Sequence, residues 1–159
     1  MYNLQENYQR YKQAVGHSDI PLFKQKINKI LQAQQFYSLM NDTKWLKLIH
    51  CIHELAFPPA YTVKLLNIAE QESVLIGIPN YIGDWSYFFD EGMPIFFCIE
   101  YIEVKAMLST FRGKLIENEI QDETEALEKI LIREHIPFQL NNNVFTIYGY
   151  KRAGTIVAK

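Results

Sequence analysis

A chain of 159 residues that is 48% hydrophobic and 14% aromatic carries enough apolar side chain for one domain with a buried core. Its longest apolar run, residues 94–99, is far below the roughly 20 residues of a membrane helix, so no membrane partner is expected. The net charge is −2, but residues 48–134 hold fifteen Asp/Glu against six Lys/Arg, and an acidic middle of this kind repels phosphate backbones and favours basic partners.

The N-terminal third reads as helical. Leu4, Tyr8, Tyr11 and Val15 recur at helical spacing, with Gly16 suited to the C-terminal cap. Ser18 and Asp19 offer cap oxygens for a second helix, Pro21 suits its first turn, and Ile20, Phe23, Ile27, Ile30, Leu31 and Tyr37 form its stripe. A third helix begins after Asn41 or Asp42, turns Trp45, Leu48, Ile49, Ile52 and Ala56 to one side, and stops before Pro58 and Pro59.

From Ala60 the period changes to two. Residues 61–65, 73–78 and 95–107 read as three mostly antiparallel strands, residues 110–113 as a turn, and residues 114–120 as a fourth, edge strand. Asp122 with Glu125 has the spacing of a capping box for a helix that turns Leu127, Ile130 and Leu131 inward. Asn141, Asn142 and Asn143 then separate two apolar runs as the turn of a hairpin, because Asn tolerates positive φ. The fold class is therefore α+β: an antiparallel sheet of about 4–6 strands covered by helices, with a helical extension over residues 1–40 preceding an α+β domain over residues 41–159. Cys51 and Cys98 are too few for a disulfide framework, and residues 1–15 lack the apolar core of a secretory signal, so a cytoplasmic setting is expected.

Three constellations could carry function. Residues 81–91 place five aromatic rings among three carboxylates; Asp84, Trp85, Tyr87, Phe88, Phe89, Asp90 and Glu91 make the candidate partner-binding surface, with Trp85 as its anchor. His50 and His53 lie on one side of a helix, which allows a two-histidine metal pair, although without the spacing of a zinc signature and with a third ligand needed from far away; otherwise they flank an apolar surface around Leu46 and Phe57. Asp90, Glu103 and Lys105 could hold a divalent metal for phosphodiester cleavage. The order helix, three strands, helix, strand resembles the core of the PD-(D/E)xK nucleases, although no Pro precedes Asp90 and the surroundings are acidic. No phosphate loop, nucleophile elbow or Cys-x-x-Cys motif is present, and no cofactor is expected.

Seven short motifs, Asn41-Asp42-Thr43-Lys44-Trp45, Phe57-Pro58-Pro59, Gly83-Asp84-Trp85, Ile99-Glu100-Tyr101-Ile102, Arg112-Gly113-Lys114-Leu115, Ile136-Pro137-Phe138 and Ile147-Tyr148-Gly149-Tyr150, run through the chain from residue 41 onward. In these motifs the chain resembles a bacterial family known only as a domain of unknown function. The resemblance implies a small cytosolic bacterial protein and transfers no catalytic residue. The leading expectation is a non-enzymatic protein-binding module, immunity- or antitoxin-like, with a basic protein as partner. The alternatives are the metal-dependent nuclease and a stable domain whose aromatic segment is core.

Overall fold

The computed structural model describes residues 4–16, 19–70, 75–87 and 93–153. Helix α1, Leu4–Val15, buries Tyr11, and α2, Ile20–Ala33, carries Pro in its first turn and buries Ile27. The stripe expected to run on to Tyr37 ends earlier. Gln35 takes a φ of 57°, which no helix continues, and Phe36–Ser38 form strand β1. Helix α3, Asp42–Ile52, is capped by Asn41, whose side-chain oxygen accepts the Lys44 N–H at 2.8 Å. It stops short of Ala56, because Glu54 and Leu55 bond back to the carbonyls of Cys51 and Ile52 in tight turns.

The remaining elements are β2 (Ala60–Leu65), β3 (Ile99–Lys105), β4 (Met107–Thr110), β5 (Glu119–Asp122), α4 (Thr124–Arg133), β6 (Gln139–Asn141), β7 (Val144–Tyr148) and β8 (Tyr150–Arg152). Strands β2, β3, β7 and β6 pair antiparallel in that order, while β1 with β8 and β4 with β5 make two-stranded ribbons. The α+β class expected from the change of period is what the chain adopts. Val63, Ile102 and Ile147 stand side by side on one face of the large sheet, with Val104 beside Phe145. All five are buried in one core with Trp45, Leu46 and Ile49 of α3 and with Leu127 and Leu131 of α4. The N-terminal helices share this core. The Tyr11 ring stacks on Phe96 at 4.4 Å, and its hydroxyl accepts the Phe96 N–H at 2.8 Å.

Four local readings are corrected. Of residues 73–78, Ser73 and Val74 lie outside the described residues, and 75–78 form no strand, since Gly77 turns at φ 65° just before Pro79. The long run 95–107 is divided into a helical turn at Phe96–Cys98, then β3 and β4. The edge strand falls at Glu119–Asp122 rather than 114–120, in register with β4. Asp122 does not form a capping box: Glu123 holds the cap position of α4, while the Asp122 carboxylate accepts from the Thr124 N–H and hydroxyl. The Asn turn forms as the sequence predicts, with Asn142 and Asn143 at φ 51° and 64° between β6 and β7. No helix among the described residues is long and apolar enough to cross a membrane.

Candidate functional site

Two of the seven motifs meet where α3 gives way to β2. The Gly83 N–H donates to the Pro58 carbonyl at 3.1 Å, and the Trp85 indole N–H donates to the Pro59 carbonyl at 2.7 Å. A Cβ on residue 83 would stand 2.2 Å from that Pro59 oxygen, so only glycine permits the approach. Trp85 lies against Tyr61 with ring centroids 4.6 Å apart and is only 4% exposed. The expected anchor is thus a buried ring, because a carbonyl within the fold satisfies the indole donor that solvent or a partner would otherwise meet.

Tyr87 is equally buried, and it connects two of the sequence candidates. Its hydroxyl lies 3.5 Å from His50 Nδ1, and its ring lies alongside His53 at 5.9 Å. The two histidines are gathered around a tyrosine. Asp84 is exposed, and its backbone carbonyl accepts the Tyr61 hydroxyl at 2.5 Å. Phe88, Phe89, Asp90 and Glu91 lie outside the described residues.

Glu103 and Lys105 do share one face of β3, on the side of the sheet away from Ile102 and Val104. There Glu103 stands between Thr62 and Thr146 of the neighbouring strands, and Tyr101 meets Tyr148 at 5.7 Å. Asp90, the third member of that constellation, is outside the described residues, and among those described no three His, Cys, Asp or Glu side chains group to hold a metal.

A cavity of about 210 Å³ opens beside the start of α3, lined among others by Lys24, Asp42, Trp45, Phe97 and Tyr150. Burial pushes the Asp42 carboxyl above its ordinary range, against the pull of Lys24 and Lys12. An acid among aromatic rings suits an ammonium group, and the chain supplies one itself: Lys24 Nζ sits 5.8 Å from the Phe97 ring centroid.

The surface that sequence reasoning missed is the β4–β5 hairpin, in which the connecting loop, 111–118, also carries exposed Arg112 and Lys114. Phe111 is 71% exposed, Leu115 100%, Ile116 55% and Ile120 46%, although these are side chains that normally seek a core. The neighbouring loop adds exposed Ile76, Ile78, Tyr81 and Ile82, and it is tied to the ribbon by the Ser109 N–H, which donates to the Pro79 carbonyl at 2.8 Å. Glu117 and Glu119 stand among these apolar groups, both exposed. The signal lies in 115–120, where Leu115, Ile116 and Ile120 flank Glu117 and Glu119, residues that the sequence assigns to an edge strand.

A model of a family of unknown function, DUF6678, matches residues 27–154, most of the chain. The chain belongs to this family. No curated protein and no solved structure matches it. The DUF6678 region contains the Trp85 junction, the exposed ribbon and all of the Asp42 cavity except Lys24, and it begins within α2. Helix α1, which supplies Tyr11 to the core, stands outside it. A second close approach lies in the last of the seven motifs: Gly149 donates its N–H to Glu100 O at 2.8 Å, and a Cβ there would lie 2.3 Å from the Ile99 carbonyl.

Proposed function

We propose that this DUF6678 protein is a non-enzymatic protein-binding module of the immunity or antitoxin kind, whose partner is a basic protein. The observation that carries the reading is the β4–β5 hairpin, where Phe111, Leu115 and Ile116 of the loop and Ile120 of β5 stand exposed beside Glu117 and Glu119, with Arg112 and Lys114 in the same loop. Apolar groups give contact energy when a partner removes them from water, and the carboxylates steer a basic partner and set its register. Asp84, which is exposed, and Phe88, Phe89, Asp90 and Glu91 belong to the proposed contact segment. Trp85 and Tyr87 serve it from within the core. Cytoplasmic and bacterial settings accord with this role.

The test is affinity purification of the tagged protein from cells of its source, with Leu115→Glu as the comparison. The expected result is a basic protein that copurifies with the unmodified chain, is lost with Leu115→Glu, and dissociates as salt rises. Circular dichroism and thermal melting of the variant should be unchanged, since Leu115 is fully exposed. A copurifying protein retained equally by a folded Leu115→Glu variant would place the contact elsewhere.

A further inference from the structure

An antiparallel ribbon has two edges, and among the described residues a backbone bond reaches one edge of this ribbon, that of β4. On β4 the Ser109 N–H points outward, to the Pro79 carbonyl. Ser109 stands opposite Ile120, so this is a pair that does not exchange hydrogen bonds within the ribbon. The N–H and C=O of Ile120 therefore point outward as well, on the far side. All four residues of β5 are exposed, and among the described residues no backbone bond from outside the ribbon reaches them. A two-stranded ribbon is marginal in water, and an open apolar edge invites a third strand.

We propose that β5 is a strand-addition site that takes an extended segment of a partner protein in which Lys or Arg alternates with apolar residues. This rests on the protein-binding reading and names the mode. Backbone bonds to Ile120 give the attachment, while side chains opposite Glu119 and beside Glu117 give the choice of charge. Charge decides between occupants. A second copy of this chain would bring Glu117 and Glu119 against the same carboxylates, whereas a strand with Lys or Arg on that face meets them with their opposite; Asp122 lies on the Ile120 face, bonded to Thr124.

The probe is a fluorescein-labelled synthetic octapeptide alternating Lys and Val. Two companions accompany it: one with Glu for Lys, and one with alternate amides N-methylated so that one edge cannot hydrogen-bond. The protein variant is Ile120→Pro, which deletes an outward donor and leaves the bonds to β4 in place. The Lys-Val peptide is expected to bind by fluorescence anisotropy, weakening as salt rises, and to slow hydrogen exchange at the Ile120 amide. Ile120→Pro and the peptide methylated on the bonding edge should each weaken it by about tenfold, the worth of one or two backbone hydrogen bonds. The Glu-Val peptide should not bind.

Equal binding of the methylated and unmethylated peptides would overturn strand addition. So would a self-association by analytical ultracentrifugation that Ile120→Pro abolishes, which would make a second copy the occupant. If no peptide binds while a copurified basic protein is still lost with Leu115→Glu, strand addition fails and the protein-binding reading stands. If that loss is also missing, the reading itself fails.

Discussion

Trp85 shows how one side chain changes meaning with its surroundings. Its ring fills space against Tyr61, and its indole hydrogen satisfies a carbonyl that Pro59 offers at the end of a turn. Replacing Trp85 by Ala removes both, opens a cavity and leaves the Pro59 oxygen without its donor, so a cost of about 3–5 kcal/mol is expected in urea denaturation. Trp85→Phe keeps much of the volume and strips the hydrogen bond, and should cost less. A Trp85→Ala cost under about 0.5 kcal/mol would mean that the ring contributes to a surface. The sequence could not distinguish these cases. Aromatic density in 81–91 looks like a recognition surface until the partner carbonyl, 26 residues earlier, is known to be within reach.

At the scale of elements, legibility followed the range of the interaction. Leu127 and Leu131 reveal the inner face of α4 because the helical period is local, and Asn142 with Asn143 reveals the turn because φ is a property of single residues. The pairing of Phe36–Ser38 with Tyr150–Arg152 was not legible, since two three-residue strands carry no period and meet only through the finished fold. Side-chain ties between α3 and α4 were hidden for the same reason. Lys47 bonds Glu134 at 2.8 Å, and Arg133 bonds Glu134 at 2.7 Å and Glu54 at 2.8 Å. Lys47 and then Arg133 hold the Glu134 carboxyl below its ordinary value, as the Arg133 hydrogen bond does for Glu54.

A carboxyl whose value is lower in the folded than in the unfolded state stabilises the fold above its ordinary range. That contribution is lost as pH falls from the ordinary 4.5 of glutamate through the depressed folded value. The melting temperature at low salt should therefore fall on acidification from pH 6 to 3, and Glu134→Gln should make that fall shallower. The difference should be small and should fade at high salt, because Lys47, Arg133 and Glu54 around the half-buried Glu134 are about half exposed. Parallel pH profiles for the two proteins would show that the ties carry no net stabilisation.

Across the whole molecule, α1 lies outside the part of the chain that the family match covers, yet it reaches the centre of the fold. Tyr11 is 1% exposed, stacks on Phe96 and caps the Phe96 N–H, which has no water to turn to. Burial raises the phenol's pKa well above the ordinary tyrosine value, so the hydroxyl remains protonated and in place across the neutral range. Deleting residues 1–16 should then cost about as much as truncating a buried aromatic ring, about 3–5 kcal/mol, with a fall in melting temperature of roughly 10 °C. Tyr11→Phe separates the two contributions, since it keeps the stacked ring but leaves the Phe96 N–H unpaired, at a cost of about 1–3 kcal/mol. The intact protein should melt in a single transition seen alike by far-ultraviolet circular dichroism and tryptophan fluorescence, because Phe96 lies 6.1 Å from Trp45 and links α1 to α3 and the sheet. A truncated chain that melts at the temperature of the intact one would show that α1 rests on the fold without supporting it.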